Sequence, residues 1–398
     1  MKPKMPEKSA NLFKAFFDSE KVAGLLLVCC TVISLIIANS SFGADYIDFM
    51  HRKIDLSFAG LALDYSIEHW VNDGLMAIFF LMVGLEVERE LYIGELADFK
   101  KAILPLAGAV GGICIPALIH FILNRGTPTQ PGFAIPMATD IAFALGILAL
   151  AGNKVPTAVK VFLTALAIID DIGAIAIIAF FYTKTVLFSY LLIALGILAG
   201  LFILNRLKIS KLIFYLLPGI VMWYCFLKSG VHATIAGVLL AFVIPFNEND
   251  DENVSYKLQH FLHKPVAFII VPIFAFVNTA ILIPANIIAS LSTSNSLGIM
   301  LGLLAGKLIG IFSFPYLLVK AGWASLQEGL TWKNLTGIGL LAGIGFTMSM
   351  FISNLAFNDA DIIATSKLSI LIASTIAAII GLLIFLTNKA NEQANIKT

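Results

Sequence analysis

The chain has 398 residues, of which 59% are hydrophobic and only 13% charged, where an ordinary soluble domain carries about 25% charged residues. So few charges cannot cover the surfaces of two or three soluble domains, and a conventional soluble protein is excluded. The 26 Lys and Arg nearly cancel the 25 Asp and Glu, so no basic excess suggests a nucleic-acid partner, and the lipid bilayer is the expected surrounding.

Residues 1–21 are polar and lysine-rich and read as a cytoplasmic N-terminus. The apolar run from 22 to 41 is too long for a signal-peptide core and reads as a first span. Residues 53–65 alternate apolar and polar about Ala59-Gly60, the pattern of a β-hairpin on the extracytoplasmic side. A hairpin this small is marginal alone, so a partner subunit or the membrane surface is expected to support it. A spanning helix needs about 20 apolar residues. Runs of that order follow near 69–91, 102–123, 131–151, 157–182, 186–204, 211–225, 228–245, 265–288, 297–319, 334–357 and 363–387. The expectation is a single all-α polytopic membrane domain of about twelve transmembrane helices, ending in a cytoplasmic tail at 388–398. Cys29, Cys30, Cys114 and Cys225 all lie in apolar runs, lack metal-site spacing and read as small hydrophobes.

With the N-terminus cytoplasmic, nineteen of the 26 basic residues fall on that side and six on the other, which fits the positive-inside rule with both termini cytoplasmic. The remaining one, Lys307, falls in the middle of span ten. Of the 25 acids, three lie near the midpoint of a span: Asp140 in span four, and Asp170 and Asp171 in span five. A charge at the bilayer centre costs at least about 2.5–3.5 kcal/mol, so these four residues mark a functional site by default.

Span four carries Pro136 followed by Met137-Ala138-Thr139-Asp140, a helix breaker beside a hydroxyl and a carboxylate. Non-helical backbone survives at that depth only against protein or a water-filled cavity. Span eleven matches it with Gly337, Gly339, Gly343 and Gly345 ahead of Thr347 and Ser349. Each is the middle member of a three-span group, 102–182 and 297–387, running in opposite senses, the pattern of an inverted repeat. Two such broken helices crossing at the midplane would bring like helix ends together, with Asp140 suited to the positive ends and Lys307 to the negative ones. Asp170 and Asp171 point about 100° apart on a helix, so one can meet Lys307 while the other faces a cavity. Carboxylates are hard oxygen ligands suited to a small cation, for which a proton would compete.

The segments MATDIAFALG, ALAIIDDIGAI, SGVHATIAG and AGIGFTMSMFI, with NDGLMAIFFLMVGLEVERE before them, closely resemble the NhaA family of bacterial sodium/proton antiporters, and the likeness runs from about residue 12 to 387. Inverted repeats with discontinuous helices are known for that family. The resemblance implies a pH-regulated, electrogenic exchanger of an inner membrane that moves sodium, and lithium, against protons by alternating access, with no cofactor and no enzymatic activity. It implies Asp171 as the principal ion carboxylate, Asp170 as the second, Thr139 and Asp140 at the crossing, and Lys307 paired with Asp170 or Asp140. It also implies a homodimer formed through the hairpin.

Glu86, Glu88, Arg89 and Glu90 close span two, and His260 and His263 stand one turn apart ahead of span nine. Histidine titrates near neutrality, so Glu86, Glu90, His260 and His263 are candidates for sensing internal pH. His232 matches a family histidine in span eight and joins them as a candidate. The family commonly has an acid just before the first histidine of the pair; here it is Gln259. An intramembrane aspartyl protease built on Asp140 and Asp170 is disfavoured, because Gly343-Ile344-Gly345 is followed by Phe346 rather than Asp.

Overall fold

In a computed structural model, residues 7–57, 62–183, 186–247 and 253–387 are described. The hairpin turn at Ala59-Gly60 and the tail from 388 lie outside them. Helix α1 runs Glu7–Ala38, so the expected polar N-terminus is helical from Glu7 and continuous with the first span. Helix α2 (Gly43–His51) lies ahead of strands β1 (Lys53–Asp55) and β2 (Asp64–Ser66), which pair antiparallel with Ile54 opposite Tyr65. The hairpin is tied down by its own chain. The Trp70 indole donates to the Ile54 carbonyl at 3.3 Å, and the Lys228 ammonium donates to the Tyr65 hydroxyl at 2.8 Å.

Then come α3 (Ile67–Tyr92), α4 (Phe99–Leu123), a 3-10 helix (Gln130–Met137), α5 (Ile141–Leu150), α6 (Thr157–Phe181), α7 (Phe188–Arg206), α8 (Ile213–Ser229), α9 (Thr234–Ala241), α10 (Val254–Asn278), α11 (Ser294–Lys320), α12 (Trp332–Leu341), α13 (Phe346–Ala356) and α14 (Ala360–Leu386). Among the described residues, nine helical segments are long and apolar enough to cross a membrane. The pair α12 and α13, bent by 48° at its break, makes ten. The remaining two expected spans coincide with the shorter helices α8 and α9, of 17 and 8 residues. This is a polytopic helical membrane protein with a small hairpin.

Side-chain chemistry sets several boundaries. Asp98 caps α4 by accepting from the Lys100 amide, Thr331 caps α12 through the Asn334 amide, and Asp359 caps α14 through the amides of Asp361 and Ile362. Gly230, at φ 85°, ends α8 in the left-handed conformation. Span nine was expected at 265–288, but the helix begins at Val254 and ends at Asn278. Its first turns are amphipathic, burying Ser255, Leu258 and Leu262 while Lys257 and His260 stay exposed. That charge hid them from a search for apolar runs.

Helices α4, α6, α11, α12, α13 and α14 pack with the 3-10 helix into one group. Helices α3, α8, α9 and α10 pack into another, while α1 lies against α5 and α10. The tightest seam joins α4 to α11. A Cβ on Gly111 would lie 2.2 Å from the Gly310 carbonyl oxygen, and one on Gly310 would lie 2.0 Å from that of Gly111. Only glycine at both positions lets these backbones touch.

Candidate functional site

Between Met137 and Ile141 the chain is extended, with Ala138 at ψ 148° and Asp140 at ψ 98°. Between Leu341 and Phe346 a second interruption spans 342–345. At Gly343 a Cβ would fall 2.3 Å from the Leu303 carbonyl oxygen, so the backbone itself packs on α11. The two interruptions are bonded to each other. The Asp140 amide donates to the Ile344 carbonyl at 2.7 Å, and the Ser349 hydroxyl donates to the Ile135 carbonyl at 2.7 Å. Extended backbone inside an apolar protein leaves orphan polar groups, and here each break supplies partners for the other.

Asp140 caps α5 by accepting from the Phe143 amide at 2.9 Å. Its other oxygen accepts from the Thr347 amide at 3.1 Å and from the Thr347 hydroxyl. One carboxylate therefore serves the N-terminal ends of both α5 and α13, where helix dipoles favour negative charge. It is 2% exposed.

Lys307 is 0% exposed and follows directly on a π-helical turn, Gly302–Gly306, of α11. Its ammonium meets Asp170 Oδ2 at 2.5 Å and Thr139 Oγ1 at 2.9 Å. Of the two partners the sequence allowed, Asp170 is the one engaged. The Thr139 hydroxyl also lies 2.7 Å from Asp170 Oδ2 and 2.9 Å from the Ala342 carbonyl oxygen. Having one proton, it can donate to only one of them at a time.

Asp170 and Asp171, on α6, are 1% and 2% exposed. Asp170 Oδ1 and Asp171 Oδ1 are buried with no hydrogen-bond partner among the described residues. Buried carboxylate oxygens without a donor call for a proton or a cation. No group of three or more His, Cys, Asp and Glu forms a resident metal centre among the described residues. Carboxylate, hydroxyl and carbonyl oxygens are instead the donor set of a hard cation.

The second group of candidates lies at the far end of α3. Glu86 is half-buried and within electrostatic range of Asp171. Arg89 pairs with Glu90 at 2.9 Å. Arg89 also lies within electrostatic range of His263, which neighbours His260 on α10, and His260 stacks on Tyr256 at 5.3 Å. His232 is not brought to this corner; its Nε2 lies 2.9 Å from the Tyr182 carbonyl oxygen, after the end of α6.

Sequence reasoning missed three buried polar groups. Glu88 is 5% exposed and accepts from the Ser255 hydroxyl at 3.1 Å, tying α3 to α10. His120 is fully buried with its Nε2 3.1 Å from Asn295 Oδ1. Lys367, one of the six basic residues that the sequence places on the hairpin side, lies buried within α14 and pairs with Glu68 at 3.6 Å. Each stands near a span end, where a charge looks solvated.

Broken helices meeting around buried carboxylates and a lysine define a membrane transport protein rather than a structural bundle. The family model described as Na+/H+ antiporter 1 matches residues 14–385. A Na+/H+ antiporter NhaA of Flavobacterium psychrophilum is 57% identical over 374 residues, covering 94% of this chain and 95% of that one. One of Dechloromonas aromatica is 56% identical over 380 residues, covering 94% and 96%. Another, of Clostridium beijerinckii, is 45% identical over 402 residues and covers 100% of each. The chain belongs to the NhaA family of Na+/H+ antiporters.

Proposed function

We propose that this chain exports sodium, and lithium, across a bacterial inner membrane in exchange for protons, by alternating access and with net movement of charge. The carrying observation is the pair of partnerless oxygens, Asp170 Oδ1 and Asp171 Oδ1, beside a lysine-bound carboxylate. Asp171 is the principal ligand and Asp170 the second. Sodium bound between them takes the place of protons, and protonation expels it. As sodium approaches, Lys307 gives up Asp170 and keeps its bond to Thr139. Asp140 holds the two half-helix ends together while the site changes the face to which it opens.

If two protons return for each sodium that leaves, one elementary charge crosses per cycle, worth about 2.3 kcal/mol per 100 mV. The reading includes twelve spans, inverted repeats at 102–182 and 297–387 around the discontinuous spans four and eleven, and both termini in the cytoplasm. It also includes a homodimer joined by the hairpins. Internal pH is sensed at the α3/α10 corner by Glu86, Glu90, His260 and His263, with Gln259 altering the shape of the response.

Inverted vesicles with an acid interior and a pH dye test the exchange. Sodium and lithium, but not potassium, are expected to release interior protons, and Asp171→Asn to abolish the response. The absence of any response from folded wild-type protein between about pH 6 and 9 would defeat the reading.

A further inference from the structure

Helix α11 carries Gly298, Gly302, Gly306 and Gly310, one every fourth residue, and all four face α4 or the 3-10 helix. A Cβ on Gly298 would lie 2.8 Å from His120 Cδ2, one on Gly302 2.6 Å from Pro136 Cβ, and one on Gly306 2.8 Å from Pro116 Cα, while Gly310 meets the Gly111 backbone. A spacing of four advances about 40° per step on an α-helix, so the stripe would wind away from α4. The π-helical turn Gly302–Gly306 holds more residues per turn and keeps the stripe in line. Ridges and grooves of side chains normally fix how far one helix lies along another, and here glycines flatten both. Yet the register of this seam decides where Lys307 sits, since α11 carries it between Gly306 and Gly310 and its ammonium must reach Asp170 and Thr139.

A polar chain crosses the seam at its hairpin-side end. His120 of α4, Asn295 of α11 and Ser366 of α14 are bonded in that order, and all three are at most 4% exposed. The Ser366 hydroxyl donates to the Ile362 carbonyl at 2.7 Å, so its oxygen accepts from the Asn295 amide at 2.8 Å. The Asn295 oxygen then faces His120 Nε2 at 3.1 Å and requires a donor there. Each hydrogen is thereby assigned: His120 bears its proton on Nε2, and its Nδ1 is a buried lone pair with no hydrogen-bond partner among the described residues. Apolar side chains would fill the same space without that orphan. What they would not supply is a directional bond across the glycines. Asn124 adds a second one, donating to the His120 carbonyl at 3.0 Å and across the seam to the Ser294 carbonyl at 3.1 Å. The His120 ring also lies against Gly132 of the 3-10 helix, where a Cβ would fall 3.1 Å from Cε1. One residue thus holds α11 and touches the segment that leads to Thr139.

We propose that His120 is a positioning residue for ion exchange: with Asn295 and Ser366 it pins the register of the glycine seam between α4 and α11, and so sets Lys307 against Thr139 and Asp170. Its consequence for transport rests on the antiport reading; its geometry does not. A polar group buried at one point of an otherwise uniform helix interface fixes alignment at some cost in stability. Without it α11 slides along α4 by about 1.5 Å, one residue's rise, and a displacement of about 1 Å at a reacting site is enough to be felt.

Full-length protein tests the pin in two ways. In inverted vesicles, His120→Gln keeps a donor for the Asn295 oxygen and is expected to match wild type. His120→Leu is expected to raise the apparent KM for sodium about tenfold, with the maximal rate within about twofold. Combining His120→Leu with Asn295→Leu removes the orphaned oxygen along with the donor, so Tm should return toward that of wild type while KM stays raised. A merely structural contact predicts that KM recovers with Tm. That result would overturn the proposal, as would an unchanged KM without the donor, or a His120→Gln variant as impaired as His120→Leu. The second measurement needs no transport. With the four native cysteines replaced by alanine, spin labels are placed at Leu106 of α4 and Leu301 of α11, which are 40% and 45% exposed and stand about 20 Å apart along the seam. Their separation is expected to shift or broaden by about 1.5 Å or more in the double variant and to be unaltered by His120→Gln. An unaltered separation in the double variant would overturn the pin. A shifted separation in a protein whose wild type shows no sodium-driven exchange would uphold the pin and count against the antiport reading.

Discussion

The helix crossing and the α3/α10 corner hold the same stock of charge. Three carboxylates and one base meet in each: Asp140, Asp170, Asp171 and Lys307 at the crossing, Glu86, Glu88, Glu90 and Arg89 at the corner. Their surroundings differ. All four crossing residues are at most 2% exposed, whereas at the corner the Arg89 side chain is 32% exposed and that of Glu90 14%. Where water is excluded, each charge must have an assigned partner or an assigned cargo. Where water reaches, as at Arg89 and Glu90, charges are screened and interact weakly, which suits adjustment better than binding; Glu88 alone of the corner four is nearly as buried as the crossing residues.

Substitution can break this contrast, and the largest expected effect is on transport. Asp171→Asn should reduce sodium-driven proton movement by about 100-fold or more, while Glu86→Gln should retain most of it; dye-loaded vesicles measure both, and comparable losses would erase the distinction. Next comes stability. Lys307→Ala leaves Asp170 buried and unpaired, at a cost of about 3–5 kcal/mol, and adding Asp170→Asn should recover part of it. Arg89→Ala should cost no more than about 1 kcal/mol, and thermal unfolding in one detergent compares them. Thr347→Val removes one donor from Asp140 and leaves the Phe143 and Thr347 amides, for a loss of about 1.5–3 kcal/mol in the same assay.

Smaller effects sharpen the wet side of the comparison. His260→Ala with His263→Ala should move the midpoint of the pH–rate profile by about one unit or less without lowering its maximum. The smallest effect belongs to a fully exposed charge. The Ser57 hydroxyl and amide hold Asp55 below its ordinary value of 3.8. A depressed carboxyl supports its turn above that value and loses the support as pH falls through the lowered one. Exchange of the Ser57 amide proton should therefore quicken only in strong acid.

The crossing was legible in the sequence because a charge inside an apolar run is conspicuous and expensive. Asp140, Asp170, Asp171 and Lys307 stand out against their neighbours without any structure. Which carboxylate Lys307 meets was not legible, since that depends on how α6 and α11 are rotated about their axes. Glu88 and Lys367 escaped because polar residues near a span end look solvated. Pro105 and Pro116 sit inside an unbroken α4, whereas Pro136 closes the 3-10 turn ahead of the first interruption. Proline alone therefore did not mark where a helix would break.

The Thr139 hydroxyl has one hydrogen and two claimants, a carboxylate on α6 and a carbonyl in the second interruption. When Asp170 carries a proton of its own or a cation, it has less need of that hydrogen, and the bond to Ala342 gains. When Asp170 is bare, the hydrogen is drawn back and the Ala342 carbonyl is left wanting. News of what the carboxylate holds thus reaches the second interruption through the turn of a single O–H bond.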